Sequence, residues 1–224
     1  MNDLDSGAEL IRDRFQAYLA MAAAKGYCGP FVPYVGPRYD ASPLRVIYAG
    51  VAPYLTDDVP FNDIAVAAEW SRSVAEDADI SSPFWRLLDD VLALWYESES
   101  PGQRRQRVVW SNLSKLNWRD KATAPRDSDR ALRSLNVEQF RHELSILAPD
   151  LLVCVSGNNL VETGRELFAY MLDEGVKLRA EQTWMRRLPT GGALYWTMHP
   201  GYKSADWKAG VLADIAMIVG GARA

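Results

Sequence analysis

Apolar residues recur at Leu10, Ile11, Phe15, Tyr18 and Leu19, so the stretch from Leu4 to Ala24 carries one apolar helical face. The glycines and prolines of "KGYCGPFVPYVGPRYDASP" break that period and predict a wrapping loop to about residue 43. The pattern then changes. "LRVIYAG", "RVVWSNL", "LLVCVSG" and "ALYWTMHP" are short β-branched or aromatic runs followed by turn or polar residues, which predicts four strands. "LLVCV" is apolar at every position, as expected of a parallel strand covered on both faces.

Helical periods separate these runs. "SSPFWRLLDDVLALW" offers Ser82 as N-cap and Pro83 at the first helical position. "NVEQFRHELSILAPD" aligns Val137, Phe140, Leu144 and Leu147 on one face and stops at Pro149. A further amphipathic run extends from Leu160 to Glu174, and a last helix carries Trp207, Val211, Ile215 and Ile218. Strands alternating with helices predict a three-layer α/β/α sandwich with a mostly parallel, four-stranded central sheet. Its 224 residues suit one domain, with residues 1–43 as an N-terminal helix and loop wrapped around it.

Composition narrows the class. The chain is 48% hydrophobic and 24% charged, which excludes fibrous and disordered classes. It has no apolar run of the roughly 20 residues that a membrane span needs. "MNDLDSGAEL" is acidic and polar, unlike a secretory signal or a transit peptide, so the expectation is a cytoplasmic protein with no membrane partner. Two cysteines, Cys28 and Cys154, are too few for a four-cysteine zinc site or iron–sulfur cluster, and neither metal nor cofactor is expected.

The net charge of −4 argues against a protein that coats DNA nonspecifically, yet the charge is uneven. Residues 55–99 carry 11 acidic and 2 basic side chains; residues 101–141 carry 10 basic and 4 acidic. The basic segments "RRQR", "WRDK" and "PRDSDR" fit either a phosphate-binding path or a solvated surface.

In a parallel α/β sheet, ligands bind outside the carboxyl ends of the strands. Four segments are thereby brought together: "GVAPYL", "SNLSK", "SGNN" and "HPGYKS". In this order, from about Leu44 to Ser204, they resemble the uracil-DNA glycosylase superfamily. Its members carry a Gly-x-x-Pro loop after the first core strand, an Asn after the second, a Gly after the third and a His-Pro-Ser-like loop after the fourth. "PFVPYVG" is also similar to a divergent bacterial branch of that superfamily.

The resemblance implies a protein that binds a flipped-out base, with DNA as partner, and hydrolyses its N-glycosidic bond without a metal. Gly50, Val51, Ala52, Pro53 and Tyr54 would line the sugar and base site. Asn112 would read the base through its amide, and Phe61, or else Tyr54, would stack on it. His199 would stabilise charge on the departing base. Lys115, Gly157, Asn158, Pro200, Gly201, Tyr202, Lys203 and Ser204 would lie along the nucleic-acid backbone.

Two of the four loops depart from that pattern. The variable residues of the first loop are Val51 and Ala52, neither of which can activate water, and Asp57 and Asp58 are the nearest carboxylates along the chain. Gly201 stands where Ser is usual. A non-catalytic nucleotide or nucleic-acid binding module on the same fold is therefore the alternative. Read locally, His199 and Asn112 also fit strand ends that satisfy backbone, and "SGNN" fits a helix cap with or without a bound anion.

Overall fold

The first helical period folds as α1 (Asp3–Lys25), and it buries Leu10, Ile11, Phe15 and Tyr18. The computed structural model describes residues 3–53, 62–77, 79–118, 125, 127–157, 160–168, 176–177 and 183–222. Tyr54, Asp57, Asp58, Phe61 and Asn158 lie outside the described residues. After α1 come two short strands, β1 (Tyr27–Cys28) and β2 (Tyr34–Val35), within the stretch expected to be loop.

The four strands read from the sequence are β3 (Val46–Gly50), β4 (Val108–Asn112), β6 (Leu151–Cys154) and β9 (Ala193–Trp196). Between β3 and β4 lie α2 (Ile64–Glu76), α3 (Pro83–Ala93) and α4 (Pro101–Arg105). Strand β5 (Asn117–Trp118) and α5 (Arg130–Leu147) precede β6, while α6 (Val161–Phe168), β7 (Val176–Lys177) and β8 (Trp184–Arg187) precede β9. Helix α7 (Ala205–Ala222) is the last element of the described residues. The described residues thus hold seven helices around a mixed sheet.

Sheet order is β2-β4-β3-β6-β9-β8-β7. Strands β4, β3, β6 and β9 are mutually parallel, while β2, β8 and β7 pair antiparallel at the two edges. The expected four-stranded sheet is therefore the parallel core of a seven-stranded one. The edge strands gave little sequence signal because two are only two residues long and β8, "WMRR", lacks an apolar face.

Strand residues alternate between two apolar layers. Val46, Tyr48, Val108, Trp110, Val153 and Tyr195 pack with α3 and α7, whereas Ile47, Val109, Leu152, Cys154 and Trp196 pack with α5 and α6. Helices thus cover both faces, which accounts for core strands buried at every position. A third cluster fastens α1 to α2 and to Leu132 of α5. Helix α5 begins at Arg130, six residues before the apolar period that marked it, because Asp129 accepts the Leu132 N–H as its cap.

Candidate functional site at the carboxyl edge

The register aligns the strand ends. Gly50 lies opposite Asn112, and Cys154 lies opposite both Ala49 and Trp196. Backbone bonds then tie the loops in pairs. Leu113 N–H donates to Gly50 O at 2.9 Å and Ser114 N–H to Val51 O at 2.9 Å, which joins the first and second loops. Gly157 N–H donates to Thr197 O at 2.9 Å and the Trp196 indole N–H to Gly157 O at 3.0 Å, which joins the third and fourth.

Phe84 stands between these pairs. Ser82 caps α3 by accepting the Trp85 N–H, Pro83 opens the helix, and the Tyr48 hydroxyl donates to Phe84 O at 3.1 Å. The strand beneath thus sets the first turn of α3. Its Phe84 ring lies nearly parallel to the His199 imidazole, with centroids 6.5 Å apart and planes 20° apart. A Cβ added to Gly50 would lie 3.1 Å from Phe84 Cε2 and 2.6 Å from Asn112 Oδ1. Gly50, Asn112, Phe84 and His199 form one cluster.

Asn112 is 2% exposed, and its Nδ2 has no hydrogen-bond partner among the described residues. An unmade buried hydrogen bond costs about 1–3 kcal/mol. Buried polar groups without a partner are uncommon in folded proteins, and each asks for an explanation. Here it is an amide donor at the carboxyl edge, beside a glycine that cannot be enlarged without displacing it.

His199 is oriented by its own loop. Gly201 N–H donates to His199 Nδ1 at 3.1 Å, so the ring proton of the neutral imidazole sits on Nε2. Although the residue keeps an exposed face, the surrounding protein removes enough water to hold it below the ordinary histidine value of 6.5. A neutral imidazole with a fixed Nε2–H donor is the result. Gly201 also fits its departure from Ser, since a Cβ there would lie 3.1 Å from His199 Nδ1.

Several expected positions take other roles. Lys115 is 0% exposed, and its ammonium donates to Ser111 Oγ at 2.8 Å, Asn112 O at 2.7 Å and the Glu143 carboxylate at 2.9–3.1 Å. All three donors are occupied, so it holds no phosphate. Desolvation lowers its pKa while Glu143 opposes that shift. Gly157, at φ +59°, donates its N–H to Thr197 O and accepts the Trp196 indole N–H, so it braces the end of β9 and the start of the loop after it. Ser204 Oγ accepts the Trp207 N–H and caps α7.

Tyr202 is fully exposed at φ +61°, Lys203 is exposed, Gly201 half-buried and Pro200 buried. Val51 and Ala52 are half-buried and Pro53 is buried. The "RRQR" segment lies at the amino end of β4, the edge away from this cluster. Its arginines are engaged internally: Arg105 with Asp89, Arg107 with Glu99, and Arg104 with the Tyr96 and Glu97 carbonyls. At the α6 N-terminus two amides are already engaged, since Asp127 accepts from Glu162 N at 2.5 Å and from Thr163 N at 3.2 Å.

Phe84 is the residue that the pattern did not single out. It occupies an apolar place in an amphipathic helix, where a pocket wall and a core side chain look alike. Its position directly after the helix-opening Pro83 was the available signal, since the first turn of a covering helix lies at a sheet edge. Among the described residues, no group of three or more His, Cys, Asp or Glu side chains is placed to hold a metal ion, and no helix is long and apolar enough to cross a membrane. No protein-family model matches the chain, and no curated protein matches it.

Proposed function

We propose that the chain is a uracil-DNA glycosylase-like protein that binds a flipped-out pyrimidine in DNA and hydrolyses its N-glycosidic bond. The observation that carries this reading is the buried, unpartnered Asn112 Nδ2 beside Gly50, in one cluster with a neutral His199. The core order is second, first, third, fourth strand, so the winding of the sheet reverses between β3 and β6, the kind of place where doubly wound sheets take ligands.

In this reading the Asn112 amide donates to a carbonyl of the base and Phe84 offers an aromatic face against it. The His199 Nε2–H donates to the base oxygen that gains negative charge as the glycosidic electrons move onto the ring. A water oxygen bonds to the sugar carbon and releases its proton to solvent or a base. Half-buried Val51 and Ala52 exclude bulk water without activating it. Lys203 and Tyr202, exposed beyond His199, face the strand. Such an activity belongs to DNA repair.

Incubation with uracil-, hypoxanthine- and xanthine-containing oligonucleotides, followed by alkaline cleavage of abasic sites, tests the enzyme. Product is expected from uracil and should fall about 10²–10³-fold in His199→Ala, the scale of one lost transition-state donor. Absence of product from every substrate removes the catalytic reading.

The apolar pair Val51 and Ala52 favours one second reading, a non-catalytic base-binding module. Binding of uracil-containing DNA without turnover, abolished in Asn112→Ala, is its expected signature.

A further inference from the structure

We infer that the buried Lys115–Glu143 ion pair is a positioning device that aims the Asn112 amide, an inference that rests on the base-binding reading of Asn112. Among the described residues the Asn112 Nδ2 makes no bond that would orient it, so its direction follows from its peptide and from the crowding at Gly50. Within the sheet, Leu113 N–H donates to Gly50 O and Ser114 N–H to Val51 O, continuing the β3–β4 pairing. From the α5 face, Lys115 Nζ donates to Asn112 O at 2.7 Å. The Asn112–Leu113 peptide is thus held at both ends, its N–H by Gly50 and its carbonyl by Lys115.

The latch is itself anchored. Glu143 accepts from Lys115, from Ser111 Oγ at 2.7 Å and from Gln139 Nε2 at 2.8 Å, and Gln139 also donates to Leu10 O at 2.8 Å. The amide therefore takes its setting from α5 and α1, elements that lie on the other face from Phe84. A well-packed apolar pair of similar volume often supports a fold as well as a buried ion pair does. It supplies no donor to the Asn112 carbonyl, and that separates positioning from simple cross-linking. Lys115 and Glu143 touch no base.

The test uses Lys115→Met/Glu143→Gln, which keeps the net charge, and Glu143→Gln alone, which keeps the lysine donor. Thermal unfolding establishes that each is folded. Affinities are read for free uracil, for a uracil-containing oligonucleotide and for the same strand with an abasic site. The double variant should bind uracil about tenfold more weakly, the scale of one lost charge-assisted hydrogen bond, with abasic-strand affinity unchanged. Its Asn112 side-chain amide resonances should shift and broaden, while Glu143→Gln retains wild-type positions.

A folded double variant with unchanged amide resonances and unchanged uracil affinity overturns the proposal. If the wild-type protein binds no base, the functional reading falls, and the amide resonances still decide whether the latch sets Asn112. If the double variant does not fold, the wild-type Lys115 ammonium decides it. A slowly exchanging ¹⁵Nζ signal with a through-bond coupling to the Asn112 carbonyl supports the latch, and a fast-exchanging one overturns it.

Discussion

A Cβ at position 50 would lie 2.6 Å from Asn112 Oδ1 and 3.1 Å from Phe84 Cε2, well inside ordinary contact. Gly50→Ala must therefore move the Asn112 amide, the Phe84 ring or both. Overpacking of this size costs about 1–3 kcal/mol, so the variant should fold with a lowered melting temperature. Its affinity for uracil should fall at least tenfold, and a titration at wild-type affinity would remove Gly50 from the site. His199 offers a second measurement at this scale. Its pKa is depressed below 6.5, so between the two values the unfolded chain binds more protons than the folded one. Stability should rise as pH climbs through the folded pKa and level off near 6.5, and His199→Asn should lose that rise. An imidazole NMR titration with a midpoint at or above 6.5 would contradict the desolvation that holds the ring neutral. Gly50 and His199 were legible in the sequence as strand-end residues. The Nδ1 bond from Gly201 was not, because it depends on the turn that the loop makes.

Ion pairs divide sharply by where their elements bury them. Lys115→Met alone leaves Glu143 charged and enclosed, and it should cost about 3–5 kcal/mol in denaturant unfolding. Arg165→Met removes an i,i+3 pair with Glu162 whose side chains are about half exposed, and it should change stability by less than about 0.5 kcal/mol. Asp127 acts on that same helix by holding the first turn of α6. Asp127→Ala should cost about 1 kcal/mol and speed hydrogen exchange at the Glu162 and Thr163 amides, with β6 unaffected. Unchanged exchange at both amides would mean that α6 is capped by something else. The helix boundaries at Ser82 and Pro83 were readable because capping is local in sequence. The Asp127 cap was not, since it lies 35 residues from the amide it caps.

At the scale of the molecule, charge decides how nucleic acid could approach. With a net charge of −4, binding to DNA has to be local, at exposed groups such as Lys203 beside the His199 loop. Affinity for a uracil-containing single strand should fall as salt rises, whereas affinity for free uracil should stay flat. A flat profile for both would remove phosphate contacts from the proposal. The arginines of "RRQR" should not contribute, because they brace the amino edge of β4 and the acidic side chains beside it.

Hydrophobic periodicity and turn chemistry act over a few residues, so the chain by itself determined five of the seven described helices, the four core strands and the strand ends where a site could form. Tertiary structure decided which side chains meet there. It turned Lys115 from a surface cation into a fully buried one, because its partner Glu143 lies 28 residues away on a helix across the sheet. It extended the sheet to seven strands through edges too short or too polar to carry an apolar period. It also brought Phe84 between Gly50 and His199, a juxtaposition of residues 34 and 115 positions apart that only strand order and helix docking could produce.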